Sequence, residues 1–155
     1  MFAALHKTAE KSLVLPIGVD EAFPLFTPEG ERHWIEDWNP RYLYPANGET
    51  IAGMVFTTGE GAETTYWTVI DYDHPNHAAR YSRVTPGVRS VLVDVTCRAI
   101  SMAETEVTVR YALTGLSETG NAMIEDFILG YDAMIEQWRL MILAYLGRSH
   151  VHLQP

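Results

Sequence analysis

The chain has 155 residues, of which 47% are hydrophobic and 20% are charged, and its formal net charge is −9. This composition predicts a single globular domain over residues 1–155 and excludes extensive disorder. The acidic balance and the lack of any block of basic residues argue against a nucleic-acid-binding protein.

The start of the chain predicts one strand followed by two short helices. Apolar and polar residues alternate before Pro16, which indicates a strand over residues 6–16. Asp20 is suited to cap a short helix at 19–26, and a second helical turn follows at 28–34. Two short helices directly after one strand predict a corner of the fold rather than a layer.

The middle of the chain predicts an antiparallel sheet. Extended segments alternate with Gly, Pro, Asn and Asp turn residues at even spacing. We therefore expect a single meander of six or seven strands. After the first strand, its segments are 41–44, 54–58, 64–73, 78–85, 88–102 and 106–116.

The last two predicted strands have the clearest alternation. Their apolar residues fall on one face, and the residues between them are mostly polar or charged. One face of the sheet is therefore expected to be dry and the other wet. The dry-face residues are Val91, Val93, Val95, Cys97 and Ala99 on one strand and Val107, Val109, Tyr111 and Leu113 on the other.

Residues 117–147 predict a long amphipathic helix. At about 100° per residue, twelve large apolar side chains fall in an arc roughly 140° wide. Burying them contributes on the order of 20–30 kcal/mol before entropy costs, which requires a partner such as the dry face of the sheet. Gly130 in mid-helix predicts either a close neighbour or a bend. Residues 148–155 are expected to form a tail with a tendency to disorder.

Three stretches resemble a known superfamily. Residues 26–32 read Phe-Thr-Pro-Glu-Gly-Glu-Arg and are followed by Trp34 and Trp38, while residues 83–87 read Arg-Val-Thr-Pro-Gly. Together with residues 116–122 and the order of elements, they resemble the START and birch-pollen-allergen-like (SRPBCC) superfamily, in particular its polyketide cyclase/dehydrase-like subgroup. The resemblance implies an α+β helix-grip fold, in which an antiparallel sheet of six or seven strands wraps around the long C-terminal helix.

The resemblance also implies an apolar cavity between the sheet and the helix, suited to a small hydrophobic or aromatic ligand. Adaptable Met residues and amphipathic Tyr and Trp residues fit such a cavity, although plain core packing explains the same pattern. The expected ligand-binding residues are Trp34, Trp38, Phe56, Trp67, Tyr111, Phe127, Tyr131, Met134, Trp138 and Met141.

Two residues are candidates for acid–base catalysis. His33, near Glu36 and Asp37, could be tuned by a carboxylate, although an ordinary solvated helix explains the same charges. Asp71 shares its strand with Trp67 and would be a candidate base if it pointed inward, or a surface residue if it pointed outward. No metal-binding motif, nucleotide cradle or nucleophile elbow is present, so no metal or other cofactor is expected.

The back of the predicted helix carries Leu129, Leu140 and Leu143 outside the main apolar arc. A homodimer contact explains them, and so does coverage by the N-terminal segment or the tail. The chain has no run of roughly 18 apolar residues for a membrane span, no signal-like N-terminus and only one cysteine. These absences predict a soluble cytoplasmic protein.

Three functions remain open from the sequence. The first is binding or transport of a small hydrophobic or aromatic molecule, lipid-like or polyketide-like, and the second is a polyketide cyclase/dehydratase-type enzyme that uses the same cavity. The third is a chaperone-linked regulator that acts through its exposed leucines. A carrier predicts few buried ionisable groups in the cavity, whereas a cyclase predicts at least one inward Asp, His or Arg with a displaced pKa.

Overall fold

The structure is a computed structural model that describes the backbone of residues 1–153 and the side chains of residues 1–149. Strands and helices occur in the order predicted from the sequence. They are β1 (His6–Leu15), α1 (Val19–Ala22), a 3-10 turn (Phe23–Phe26), α2 (Pro28–Glu31), β2 (Arg41–Tyr44), β3 (Val55–Thr58), a second 3-10 turn (Gly61–Glu63), β4 (Thr65–Asp73), β5 (Ala78–Thr85), β6 (Arg89–Ser101), β7 (Glu104–Gly115), α3 (Glu118–Leu129) and α4 (Tyr131–Leu153).

The seven strands form one antiparallel sheet in the order β1-β7-β6-β5-β4-β3-β2. Strands β2 to β7 form the predicted meander, and β1 pairs with β7 at the far end. Helix α3 packs against β7 and β1, while α4 packs against β1. The predicted α+β helix-grip fold is confirmed, with seven strands.

The predicted dry face of β6 and β7 is confirmed with one exception. Alternate residues from Val91 to Cys97 and from Val107 to Leu113 are buried. Ala99 is exposed, because the end of β6 projects into solvent together with Ile100.

The predicted terminal helix is divided at Gly130 into α3 and α4. Helix α3 begins at the N-cap Ser117, whose side chain accepts a hydrogen bond from the Gly120 backbone N–H at 3.0 Å. A Cβ placed on Gly130 would have its nearest neighbour at 3.8 Å, so a break in the helix, and not a close neighbour, accounts for this glycine.

Helix α4 continues to Leu153 and therefore includes most of the segment that was expected to be a tail. The last two residues of that predicted tail, 154–155, lie outside the described residues. Of the apolar stripe on the two helices, Ile124, Ile135 and Ile142 are fully buried. The stripe thus supplies the helical half of the core, as its periodicity predicted.

The corner after β1 is fixed by hydrogen bonds from aromatic side chains. The Trp34 indole N–H donates to the Leu25 carbonyl at 2.7 Å, and the Trp38 indole N–H donates to the Pro28 carbonyl at 2.8 Å. The Tyr81 hydroxyl on β5 donates to the Phe26 carbonyl at 2.8 Å. These bonds satisfy carbonyls that the short helical segments leave unpaired, and they hold α2 against the sheet.

Helix α2 is a single turn that begins at the N-cap Thr27 and has Pro28 as its first residue. The Thr27 side chain accepts a hydrogen bond from the Gly30 backbone N–H at 3.1 Å. Threonine at the N-cap and proline at the first helical position both favour initiation. The consequence is a fixed orientation for Glu31, the last residue of this turn.

None of the described helices is long and apolar enough to cross a membrane.

Candidate functional site

A cavity of about 230 Å³ lies between the corner, the sheet and the two C-terminal helices. Seven of the ten residues predicted to bind a ligand line it, and they come from all three parts of the fold. These seven are Trp38, Phe56, Trp67, Tyr111, Phe127, Met134 and Trp138.

The remaining three predicted residues lie outside the cavity lining. Trp34 is buried in the corner, where its indole N–H is used by the Leu25 carbonyl. Tyr131 is buried at the start of α4, and its hydroxyl donates to the Val109 carbonyl at 2.6 Å. Met141 lies further along α4, beside a separate surface depression. The periodicity of the terminal helix placed Tyr131 and Met141 on the correct face but did not indicate how deeply they are buried or which cavity they line.

His33 is exposed and lies outside the cavity. Its ring stacks on Tyr145 of α4 with 5.2 Å between the ring centroids. Pro28 and Glu31 are the residues of α2 that line the cavity, whereas His33 lies two residues beyond the end of this helix. The structure therefore does not bring His33, one of the two acid–base candidates, to the cavity.

Asp71 is also exposed, on the outer face of β4. Strict alternation would have put it on the same face as Trp67 and Val69. A β-bulge between Val69 and Asp71 shifts the register by one residue, so Asp71 instead lies opposite Arg80 on the solvent side. Of the two orientations that the sequence left open for Asp71, the structure has the outward one.

Arg83 is the one arginine among the residues that line the described cavity. Alternation along β5 turns it inward on the same face as Tyr81 and Thr85, both of which are buried. Its guanidinium lies 5.4 Å from the ring centroid of Trp67 and 5.4 Å from that of Tyr111. Both contacts are favourable cation–π interactions that hold the side chain in the cavity.

One donor of Arg83 is unused. Its Nε is buried and has no hydrogen-bond partner in the structure. A buried N–H of a charged group without an acceptor costs on the order of 1–3 kcal/mol, so such groups are rare in folded proteins. The same burial closes this nitrogen to a ligand, so a ligand acceptor in the cavity would have to meet the other N–H groups of the Arg83 guanidinium.

Glu31 approaches the same cavity from α2. Desolvation raises the pKa of its carboxyl group from 4.5 to about 8, and the positive charge of Arg83 opposes part of this rise. The two side chains form no direct ion pair within 4.0 Å. At neutral pH the cavity thus contains a protonated carboxyl group and a guanidinium cation.

Two tyrosines complete the polar part of the lining. Desolvation raises the pKa of Tyr81 and of Tyr111, so both hydroxyl groups stay protonated at neutral pH. The Tyr81 hydroxyl is used by the Phe26 carbonyl, whereas Tyr111 contributes its ring to the contact with Arg83. The remainder of the lining is apolar or aromatic.

The prediction from sequence named neither Glu31 nor Arg83 as a site residue. Both lie in the segments that carry the superfamily resemblance, 26–32 and 83–87. Alternation along β5 indicates that Arg83 shares a face of the sheet with Tyr81, which lies two residues earlier and is expected to point inward. For Glu31 the sequence held no comparable signal, since a four-residue helix has no periodicity to read.

Two further predicted features can be located. Leu129 and Leu140 are exposed, at 86% and 47% of their surface, and Leu143 is partly buried. A homodimer through these residues stays a prediction. Among the described residues there is no group of three or more His, Cys, Asp or Glu that could hold a metal ion.

No family model matches the chain, and no curated protein matches its sequence. Solved structures match its fold. Norcoclaurine synthase from Thalictrum flavum, in complex with dopamine and hydroxybenzaldehyde, has a TM-score of 0.63 and 7% identity over 98% of this chain and 90% of that chain. The ZhuI aromatase/cyclase from Streptomyces sp. R1128 has a TM-score of 0.61 and 12% identity over 97% of both chains.

A protein from Rhizobium leguminosarum also matches, with a TM-score of 0.66 and 14% identity over 92% of this chain and 97% of that chain. These likenesses extend over nearly the whole chain. They confirm the predicted superfamily resemblance at the level of the fold.

Proposed function

We propose that this helix-grip protein binds a small aromatic molecule in the cavity between the sheet and helix α4. The observation that carries the proposal is the arrangement of rings around the cavity, with Trp38 on the corner, Trp67 on the sheet and Trp138 on the helix. Rings that approach from several sides complement a planar ligand through stacking and edge contacts.

The size of the cavity supports a compact ligand. Its volume of about 230 Å³ is below the roughly 300–1,000 Å³ that is usual for ligand pockets, which favours one or two rings over a long acyl chain. Norcoclaurine synthase, which has this fold, is described in complex with dopamine and hydroxybenzaldehyde, and a second protein with this fold is described as an aromatase/cyclase. Fold likeness alone does not assign a ligand, so binding has to be measured.

Filling the cavity is expected to abolish the binding of a neutral aromatic probe. Val95 is buried on β6 and lines the cavity, so the larger ring in Val95→Phe would occupy the ligand's place. We expect the affinity for 2-naphthamide, measured by isothermal titration calorimetry, to fall at least about tenfold.

Val14→Phe is the matched control, because Val14 is 40% exposed on β1 and lies outside the cavity lining. This variant is expected to bind 2-naphthamide as tightly as the unchanged protein. If Val95→Phe folds, by circular dichroism, and binds the probe with unchanged affinity, the proposed cavity is not the binding site.

A cyclase or dehydratase that acts in the same cavity is the second candidate. The observation that favours it is the inward pair of Glu31 and Arg83, since a carboxyl group with a pKa of about 8 is suited to proton transfer near neutral pH. A pure carrier does not need an ionisable group in this environment. Enzymes, in contrast, often place a desolvated carboxyl group beside a cation.

The chemistry of such a reaction can be written with these two residues. The Glu31 carboxylate would accept a proton from the carbon next to a ligand carbonyl. The C–H electron pair would form a C=C bond as the C=O π pair moves to the oxygen, which gives an enolate. The positive charge of Arg83 would stabilise that oxygen. In ring closure the enolate carbon would attack a second carbonyl of the same ligand, and Glu31 would return its proton to the alkoxide formed.

Proton exchange tests this candidate directly. In D₂O the protein is expected to accelerate deuterium incorporation into 2-tetralone, an enolisable two-ring ketone, and NMR would follow the rate. Glu31→Gln is expected to lower the protein-catalysed rate about 100-fold, because an amide cannot accept the proton. The rate should rise with pH through about 8, where Glu31 becomes the carboxylate.

Glu29→Gln is the control for this experiment, because Glu29 is exposed on the same helix and pairs with Arg32 at 2.8 Å. It is expected to exchange at the unchanged rate. Equal rates for the unchanged protein and for Glu31→Gln would exclude Glu31 as the base, and the binding proposal would be unaffected.

A further inference from the structure

Arg83 brings an unbalanced positive charge into the cavity. Among the described residues that line the cavity, Glu31 alone has a carboxyl group, and this group is protonated at neutral pH and makes no ion pair with Arg83. The other polar lining groups, Tyr81 and Tyr111, are neutral in the same range. A cation that lines a cavity is stabilised most effectively by an anion close to it, and none of the described lining residues supplies one at neutral pH.

The surroundings of Arg83 determine how an anion could reach it. Trp67 and Tyr111 each lie 5.4 Å from the guanidinium carbon, so aromatic rings already contact this cation. The Nε–H is buried, so an anion that enters the cavity would meet the terminal N–H groups of the guanidinium. A guanidinium donates in its own plane and matches planar anions such as carboxylates well.

We propose, on the basis of the proposed aromatic-binding function, that Arg83 and Glu31 form an anion subsite that selects aromatic ligands with one negatively charged oxygen group. Arg83 donates to that group through the terminal N–H groups of its guanidinium, and the protonated Glu31 carboxyl group donates to the same anion. The ligand class is therefore an aromatic carboxylate, phenolate or enolate.

Glu31 makes the affinity for such an anion dependent on pH. The groups that face it are Arg83 and Tyr81 on β5 and Tyr111 on β7, while Glu29 and Arg32 near it on the corner are exposed and pair with each other. Below a pH of about 8 Glu31 is neutral and Arg83 attracts the ligand anion. Above that pH the Glu31 carboxylate offsets the charge of Arg83 and repels the ligand anion.

The test compares 2-naphthoate with its neutral isostere 2-naphthamide by isothermal titration calorimetry. At about pH 6 the unchanged protein is expected to bind the carboxylate at least about tenfold more tightly than the amide. At about pH 9.5 the preference should disappear, because Glu31 is then ionised. A preference for the amide, or no preference, at the lower pH would overturn the subsite.

Two variants separate the roles of the residues. Arg83→Met should remove the preference for 2-naphthoate over 2-naphthamide at the lower pH, and Glu31→Gln should keep the preference at the higher pH. Arg80→Met is the matched control, because Arg80 lies on the same strand but is exposed and pairs with Asp94. Its preference is expected to equal that of the unchanged protein.

The failure of the subsite and the failure of the proposed function give different results. If both probes bind equally at every pH and Val95→Phe abolishes both, the aromatic cavity stands and the anion subsite is wrong. If neither probe binds, the proposed function itself fails. The pH profile of the unchanged protein decides the matter even if Arg83→Met does not fold.

Discussion

Glu31→Gln is expected to be more stable than the unchanged protein at neutral pH, by about 3 kcal/mol. The carboxyl group of Glu31 has a pKa of about 8 in the folded protein, against an ordinary value of 4.5. Between these two values the unfolded chain releases a proton that the folded protein retains. The free energy of unfolding of the unchanged protein therefore falls as pH rises, by up to about 1.4 kcal/mol per pH unit.

The sign follows from proton binding in the two states. Below a pH of 4.5 Glu31 is protonated in both states, so its ionisation does not lower the free energy of unfolding. Above about 8 both states are ionised, and the full cost of a desolvated carboxylate is present. Glutamine has nearly the same shape and does not ionise. The free energy of unfolding of Glu31→Gln therefore lacks the pH-dependent cost that the Glu31 carboxylate imposes on the unchanged protein.

Urea unfolding at about pH 5, 7 and 9 gives the free energy of unfolding of Glu31→Gln and of the unchanged protein. The difference between the two isolates the contribution of Glu31, because the other titrating groups contribute equally to both. The difference should grow steadily with pH. Glu29→Gln serves as the control, since it removes only an exposed ion pair and should change the free energy of unfolding by less than about 1 kcal/mol. Parallel pH dependences for Glu31→Gln and the unchanged protein would contradict the assignment.

A stability cost at this position is informative about function. The corner could have placed an apolar residue over the cavity, and β5 could have placed one at Arg83, with a gain in stability in both cases. Desolvated ionisable groups that face each other across a cavity are typical of sites that bind or transform a ligand. The two residues therefore carry more functional information than the aromatic lining, which ordinary core packing also produces.

The fold could be predicted from sequence because its signals are local and repeated. Alternation fixed the inner faces of β6 and β7 over many residues, as the burial of Val93, Val109 and Leu113 shows. The apolar stripe of the terminal helices extends over several turns, so one unexpected residue does not change its direction. Such long periodic segments have one arrangement that buries their apolar side.

The polar residues of the cavity could not be predicted in the same way. The direction of Glu31 depends on hydrogen bonds from Trp34 and Trp38 to carbonyl groups of the corner. No periodic sequence pattern indicates these hydrogen bonds. Asp71 was left open between two faces because a single bulge in β4 reverses alternation. A site composed of irregular positions is therefore harder to predict than the regular elements that support it.

The binding and enzyme proposals require the same state of the cavity. A bound aromatic anion beside protonated Glu31 is also the state that follows proton abstraction from a neutral ketone, in which the enolate lies near Arg83. A cavity that binds such anions tightly therefore lowers the energy of an enolate intermediate as well. Whether turnover follows depends on the ligand, because a carboxylate has no proton to lose in this way.

Gly30→Ala is expected to lower the free energy of unfolding by about 3 kcal/mol or more. Gly30 lies in α2 and is buried against the preceding 3-10 turn. A Cβ at this position would overlap the Pro24 carbonyl oxygen and would lie 2.8 Å from Leu25 Cα. Both are backbone atoms that cannot rotate away, so α2 would have to move off the turn.

The cavity should be lost together with the corner. Pro28 and Glu31 on α2 line it, and the Pro28 carbonyl accepts the hydrogen bond that holds Trp38 in the lining. Gly30→Ala is therefore expected to weaken 2-naphthamide binding as well as stability, which urea unfolding and calorimetry would measure on the same sample.

The control is Gly147→Ala in α4, where no atom lies within 4 Å of the added Cβ and the exposed helix should gain up to about 1 kcal/mol. A Gly30→Ala protein as stable as the unchanged one would mean that the corner can shift freely, and Glu31 would then lack the fixed position on which the acid–base and anion proposals depend.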